Sequence, residues 1–393
     1  MDDVYGSMRK KGKVALVIGL GVSGRGAAKL LLKEGYDVLA VDKDRQEMEG
    51  VSVFPETAKI GPVDLAVLSP GISPKHPQAQ GRCVIGEAAL AFRYLNHFAI
   101  GITGTNGKTT CTLLLTHLLQ TAGMAARALG NVGNSLSEYA CDPDPQERLI
   151  VELSSYQLET FRAKKFDYGV LTTLSPDHLD RYDSFEAYKR VKYRLKQLVK
   201  GENFFYADSY LQLMKNGQYL PFRGSPILYV AWMISKKLGI CWDVFCKGVE
   251  SFKPLPHRME SVREVSGVIF INDSKGTNSG AVLYALSQLR SPIVLIAGGK
   301  GKKETFEEWK VPFRNKVKRV FAIGEIAAQL RETLENVTVC GSLEEAVTQA
   351  YAVSQRGETV LFSPGAASFD QFRNYEERGK AFIEYVNQLE EKL

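Results

Sequence analysis

Short apolar runs alternate with helical patterns along most of this chain. Residues 14–18 (Val-Ala-Leu-Val-Ile) are a compact run that predicts a buried strand, followed by a helix through Leu32 and a second strand over 37–41 that ends at Asp42. A third strand is expected over 64–68, running into a turn at 69–72, and helical sequence resumes over 87–94. Asn96 and His97 then read as a hinge. The run 98–102 predicts another buried strand, and 109–120 a helix with Leu113, Leu114, Leu118 and Leu119 on its apolar side. Strands follow over 149–151 and 168–174, then a helix over 184–199 with Phe185, Tyr188, Val191 and Leu195 on one face. Lys192 lies beside that face, which a snorkelling lysine also explains. Helices are expected over 228–238 and 242–250, and Pro254 and Pro256 stiffen a linker over 254–260. The last third repeats the theme, with strands over 268–272, 293–297, 319–323 and 359–362 separated by helical patterns. Such alternation predicts an α/β protein with parallel sheets.

Composition narrows this picture. A chain of 393 residues, 45% of them hydrophobic, suits two or three domains with cores of their own. No apolar run approaches the length of about 18 residues that a membrane span needs. The start of the chain does not read as a signal peptide, and Met8 is an alternative first residue. Six cysteines are scattered without a C-x-x-C pair, which argues for reduced thiols and a cytoplasmic protein. The net charge of +6 comes without a basic run interleaved with aromatics, so nucleic acid is not an expected partner. Anionic, phosphate-bearing substrates are the simpler match.

The candidate chemistry sits at strand ends. Between the strand at 98–102 and the helix after it lies Thr103-Gly104-Thr105-Asn106-Gly107-Lys108-Thr109-Thr110. Strand, Gly-Lys-Thr, helix is the layout of a phosphate-binding loop: backbone N–H groups face a phosphate, Lys108 adds a point charge, and the Thr109 hydroxyl can ligate Mg²⁺. Ile102 stands where the strict pattern wants glycine, and Gly101 and Gly104 supply the turn. Glu152 is placed where its strand emerges; there a carboxylate is either solvated or a Mg²⁺ ligand. Gly19, Gly21 and Gly24 with Asp42 make a βαβ nucleotide fingerprint, which tight helix–strand packing also explains. His178 and its neighbours form a polar turn, and three polar loops begin at Asp273, Gly298 and Ser363. Strands of one parallel sheet would bring those three to a single edge.

The order of these motifs resembles the Mur ligases of peptidoglycan synthesis. The matching stretches are the phosphate loop, Gly130-Asn131-Val132-Gly133, Glu152-Leu153-Ser154-Ser155-Tyr156-Gln157-Leu158, Asp177-His178-Leu179-Asp180-Arg181-Tyr182, Pro256-His257-Arg258-Met259-Glu260, Asn272-Asp273-Ser274-Lys275 and the region 363–379. Within that family the chain is most similar to the members that add D-glutamate to UDP-N-acetylmuramoyl-L-alanine. The resemblance implies three domains: a Rossmann-like one over 1–96 for the UDP-sugar, a shortened central ATP-binding sheet over 97–255, and a Rossmann-like one over 256–393 for the amino acid. It implies ATP, two Mg²⁺ ions, a carbamylated Lys192, a monomer and an acyl-phosphate intermediate. By family position, Gly104, Thr105, Asn106, Gly107, Lys108, Thr109 and Thr110 cradle the nucleotide phosphates, and Arg258 and Asp273 contact the nucleotide. Thr109, Glu152, His178 and Lys192 would hold metal, with Asn131 and Lys275 beside the reacting groups. Gly21, Val22, Asp42, Lys43, Ser69 and Gly71 fall on UDP-sugar loops, and Thr277, Lys302, Ser368 and Tyr375 on D-glutamate positions.

One stretch departs from the family. Its His-Asn-x-x-Asn helix start is replaced by Arg223-Gly224-Ser225-Pro226-Ile227-Leu228-Tyr229, without either asparagine. The alternatives are a nicotinamide-dependent dehydrogenase, an inactive nucleotide-binding homologue, and a Mur-type or folylpolyglutamate-type ligase for another amino acid. An assay of phosphate release against an amino-acid panel separates them.

Overall fold

The computed structural model describes residues 12–44, 46–178, 181–207, 225–290, 292–301 and 305–391. They fall into two compact units, Met1–Phe252 and Lys253–Leu393. Among the described residues no helix is long and apolar enough to cross a membrane.

The first unit holds two parallel sheets. In chain order, β1 (Val14–Ile18), α1 (Val22–Lys33), β2 (Asp37–Asp42), β3 (Val51–Pro55), β4 (Leu65–Leu68), β5 (Val84–Gly86) and α2 (Glu87–Ala91) build a five-stranded sheet ordered β3-β2-β1-β4-β5. The apolar runs predicted as strands are its buried centre: Ala15, Leu16, Val17 and Ile18 have no exposed surface. The edges β3 and β5 are short and half-exposed, which is why their sequence carried little strand signal.

The central sheet follows with β6 (Ala99–Thr103), α3 (Lys108–Thr121), β7 (Ala126–Gly130), α4 (Leu136–Tyr139), β8 (Arg148–Glu152), α5 (Ser155–Thr160), β9 (Tyr168–Leu171), α6 (Phe185–Leu198) and β10 (Phe204–Tyr206), then α7 (Pro226–Lys237) and α8 (Trp242–Ser251). Its strands are ordered β10-β9-β6-β8-β7. Helix α3 packs on the sheet and also on α7 and α8. This corrects its expected face: Leu115 is fully buried beside Leu114, Leu118 and Leu119, and Leu113 is the half-buried one. Strand β9 stops at Leu171 rather than 174; beyond it the backbone of Thr173 pairs with the phosphate loop, its carbonyl accepting the Thr105 amide. Helix α7 begins at Pro226, two residues before the expected 228; Ser225 caps it by accepting from the Leu228 amide at 3.4 Å.

The second unit contains β11 (Glu260–Val265), β12 (Val268–Asn272), α9 (Ser279–Gln288), β13 (Ile293–Gly298), α10 (Lys310–Arg314), β14 (Val317–Ile323), α11 (Ala327–Thr333), β15 (Val337–Val339), α12 (Leu343–Val353), β16 (Thr359–Gly365) and α13 (Tyr375–Asn387). The order is β11-β12-β16-β13-β14-β15, and the β11–β12 pair is antiparallel while the rest are parallel. That antiparallel strand departs from the all-parallel expectation; its Glu260, Arg263 and Glu264 suit a solvated edge. Because β12, β16 and β13 are adjacent and parallel, the loops after Asn272, Gly365 and Gly298 leave from one edge, β16 running on past the expected 362 to take in Ser363. Lys300 donates its backbone N–H to Ala367 O at 2.8 Å, joining two of them.

Candidate functional site

The phosphate loop is built by glycines that no other residue replaces easily. Gly104 has φ +145° and Gly107 φ +80°, and a Cβ on Gly107 would lie 2.7 Å from Ile227 Cδ1. The segment after β9 fixes the loop: the Asn106 amide donates to Thr173 Oγ1 at 3.0 Å, Thr172 Oγ1 donates to Asn106 O at 2.6 Å, and the Thr105 amide donates to Thr173 O at 2.7 Å. Lys108 Nζ folds back to Thr105 O at 2.7 Å, at the start of α3. Thr109 is buried and Thr110 half-buried in the first turn of that helix.

Glu152 ends β8, next to β6, and is 1% exposed. Its Oε1 accepts from Asn131 Nδ2 at 2.9 Å, while Oε2 finds no hydrogen-bond partner among the described residues. An ionisable oxygen buried without a partner is costly, and a hard cation is the group that relieves it. No cluster of three or more His, Cys, Asp and Glu side chains suited to a metal occurs among the described residues. A Mg²⁺ held at the unpartnered Glu152 oxygen would have to take most of its ligands from phosphate and water. Glu152 also helps push the buried Cys111 thiol up to about 12, after desolvation, so that sulfur is inert.

Lys192 is 2% exposed, not a snorkelling edge residue. Its Nζ donates to Gly104 O at 2.8 Å and lies 3.4 Å from Thr103 Oγ1. Burial, and then the Lys108 cation, hold its ammonium well below the usual lysine range, against the pull of Asp177 and Glu152. His178 sits in a left-handed backbone with φ +54°, its Nδ1 2.9 Å from Tyr156 Oη. Sequence reading gave no role to Tyr156, nor to Glu159, Arg181 and Tyr182, which bond to one another beside it.

A cleft of about 570 Å³ in the first unit gathers the expected sugar-nucleotide loops. Gly21, Val22, Asp42, Lys43, Ser69 and Gly71 line it together with Asn131. Asp42 Oδ2 accepts from the Leu20 amide at 2.5 Å and Oδ1 from the Asp44 amide at 2.9 Å. Desolvation opposes its ionisation, but these amides outweigh it and keep the carboxyl below its ordinary value. Ser135 and Gln157 also line the cleft and were not anticipated, although Ser154-x-x-Gln157 is a capping box legible in the sequence.

In the second unit, Asp273 accepts from Ser363 Oγ at 2.8 Å and from the Met259 amide at 3.3 Å. Burial raises its carboxyl to about 7 despite these donors and Arg258. Lys275 Nζ lies 3.5 Å above the centroid of the Tyr375 ring. Thr277 is half-buried in the same loop, and Ser368, 2% exposed, accepts the Gln371 and Phe372 amides on its carbonyl. Arg378, missed by the sequence reading, is 1% exposed and clamps two loops: it donates to Ser274 O, Ala366 O and Ala367 O at 2.9, 3.1 and 3.2 Å. Nothing in its spacing signals burial. Lys302 lies outside the described residues, as do Leu179, Asp180, Arg223 and Gly224.

The family model described as the Mur ligase middle domain matches residues 102–217, and that of the Mur ligase, glutamate ligase domain matches 257–365. The chain belongs to the Mur ligase family, whose members are ATP-dependent amide-forming ligases. It is 36% identical to the UDP-N-acetylmuramoylalanine–D-glutamate ligase of Protochlamydia amoebophila, over 96% of this chain and 98% of that protein. The ligase of the same name from Aquifex aeolicus is also 36% identical, over 94% and 98% of the two chains. Among solved structures, MurF ligase of Thermotoga maritima in complex with ADP shares the fold with a TM-score of 0.59 at 16% identity, covering 98% of this chain and 97% of that one.

Proposed function

We propose that this protein joins D-glutamate to UDP-N-acetylmuramoyl-L-alanine at the expense of ATP, in the cytoplasm. The observation that carries the reading is the Asn131–Glu152 hydrogen bond of 2.9 Å. It ties the lining of the sugar-nucleotide cleft to a buried carboxylate, on the strand next to that of the phosphate loop, whose second oxygen has no partner among the described residues. A substrate carboxylate at the end of that cleft and a γ-phosphate on the loop would then meet at one place. The names of the two relatives supply the choice of amino acid.

In this reading the terminal carboxylate oxygen of the UDP-sugar attacks the γ-phosphorus, and ADP leaves. The D-glutamate amine attacks the resulting acyl carbon, inorganic phosphate leaves and the nitrogen gives up a proton. Both partners of the first step are anions, so the chain's task is to cancel repulsion and hold them in line. Lys108 and the loop amides of residues 104–110 take the phosphates, and Asn131 orients the acyl group. Thr109, Glu152, His178 and a carbamate on Lys192 would hold Mg²⁺, which when bound neutralises phosphate charge. Arg258 and Asp273 take the nucleotide. Lys275 approaches the transferred phosphoryl group, and Thr277, Lys302, Ser368 and Tyr375 take the D-glutamate carboxylates. The domain limits 1–96, 97–255 and 256–393 belong to the same reading.

The test is phosphate release with ATP, the UDP-sugar and a panel of amino acids. Turnover with D-glutamate and not with L-alanine, diaminopimelate or L-glutamate is expected. Turnover with another amino acid, or none with any, refutes the assignment.

A further inference from the structure

Asp273 lies just past the end of β12, and its backbone is tied on both sides. Its amide donates to Phe362 O at 2.7 Å, and its carbonyl accepts the Gly276 amide at 2.8 Å. Only 8% of the residue is exposed. Its two carboxyl oxygens are served unequally. Oδ2 accepts from Ser363 Oγ at 2.8 Å, a full-strength bond. Among the described residues Oδ1 has only the Met259 amide, at 3.3 Å, past the usual range of an N–H···O bond. Ser363 belongs to β16, the strand that pairs with β12, and has no exposed surface. Its hydroxyl is therefore turned to the carboxyl and not to bulk water. Of the charged groups around Asp273, Arg258 favours the carboxylate. The others point elsewhere: Glu260 accepts the His257 amide at 2.8 Å, Lys275 lies over the Tyr375 ring, and Arg378 serves the carbonyls of Ser274, Ala366 and Ala367.

From this geometry we infer that Ser363 is a positioning residue for Asp273: its hydroxyl holds Oδ2 against β16 and leaves Oδ1 to accept a hydrogen bond from the nucleotide. A carboxylate is an acceptor only, so on a nucleotide it takes a ribose hydroxyl or a base amine and never a phosphate. That role needs the carboxyl ionised in a place where burial works against ionisation, raising it to about 7. Ser363 opposes that rise, because a hydrogen bond donated to the charged form favours it. One hydroxyl thus sets both the direction of the group and the share of it that is charged near neutral pH. The use of this arrangement rests on the reading of Asp273 as a nucleotide contact, whereas the hold of Ser363 on Asp273 does not.

The experiment uses the nucleotide-free full chain, Ser363→Ala, and Ser363→Cys, which keeps the bulk and donates more weakly. Carboxyl ¹³C shifts followed against pH report the titration of Asp273, assigned by the signal that Asp273→Asn removes. Ser363→Ala should move the midpoint up by about one pH unit, the scale of one lost hydrogen bond to a charged group, and Ser363→Cys should fall between. Calorimetric titration with Mg²⁺ and ATP near pH 7 should then show a dissociation constant about fivefold to tenfold weaker in Ser363→Ala. The gap should narrow towards about pH 9, where both carboxyls are ionised. In an Asp273→Asn background, Ser363→Ala should weaken ATP little further. A carboxyl midpoint that moves in neither variant overturns the inference. So does a loss of ATP affinity that is equal at every pH and adds to that of Asp273→Asn, the pattern of a merely structural serine. A raised midpoint with ATP affinity unchanged supports the hold of Ser363 and refutes the nucleotide reading of Asp273 instead.

Discussion

Lys192 and Gly104 are joined by a 2.8 Å hydrogen bond from the Nζ of one to the carbonyl of the other. The contact fastens α6 to the phosphate loop from beneath. It also leaves an amine, 2% exposed, near a second cation, Lys108. An ammonium there gains nothing from a nearby Mg²⁺, whereas its carbamate would be a carboxylate on a long arm.

Lys192→Ala should therefore lose ligation, and formate or acetate added in bulk should restore part of it by filling the vacated space. Depleting CO₂ should lower wild-type turnover and leave the rescued variant unaffected. Phosphate-release rates check both, and activity insensitive to both treatments excludes a carbamate.

Lys108→Ala should reduce kcat/KM by on the order of 100- to 1,000-fold, the scale of removing one preorganised charge partner. The fold should stand, because Lys108 projects from the first turn of a helix whose core is made by Leu114, Leu115, Leu118 and Leu119. Steady-state kinetics beside a thermal melt separates the two effects. Near-normal turnover at saturating ATP contradicts the phosphate-loop reading.

Nucleotide choice should be lax. At the start of α7 the capping Ser225, Pro226 and the buried Ile227 stand where the family has amides, and Ile227 packs toward Gly107. Losing two neutral hydrogen bonds, at roughly 0.5–1.5 kcal/mol each, weakens ATP by about tenfold to a hundredfold. The expected result is a high KM for ATP and similar kcat/KM for GTP. A low-micromolar KM with strong rejection of GTP means that other residues read the base.

Glu87 makes stability depend on pH. Burial pushes its carboxyl up to about 7, against the Ser137 amide that donates to it at 2.6 Å. A carboxyl raised in the folded state contributes fully below its unfolded value near 4.5, and that contribution is lost as pH climbs through about 7. Glu87→Gln should match wild type near pH 5 and be more stable at pH 8, by at most about 3 kcal/mol. Denaturant midpoints at the two pH values decide it, and a constant gap between the chains refutes it.

The central strands, the glycine-rich turn into α3 and the three-loop edge of the second unit were legible because each rests on local rules. A strand buried on both faces must be an apolar run, and a glycine-rich turn into a helix has few other uses. Edge strands such as β3 and β11 were not legible, because an edge tolerates polar residues that look like loop. Arg378 and the Tyr156–Arg181–Glu159 cluster escaped for a different reason. Burial of an arginine by three carbonyls, or of a histidine nitrogen by a phenol, is decided by segments distant in sequence.

Among the described residues, five other than glycine have positive φ, and His178 is one of them. Glycine at 178 would relax a conformation worth roughly 1 kcal/mol or more. His178→Gly sets that relief against the lost Tyr156 hydrogen bond, so it should melt close to wild type while ligation disappears, a pair of readings available from one thermal scan and one assay. In a library selected only for heat resistance, position 178 should accept glycine as readily as histidine; in one selected for wall-precursor synthesis, the histidine should stay.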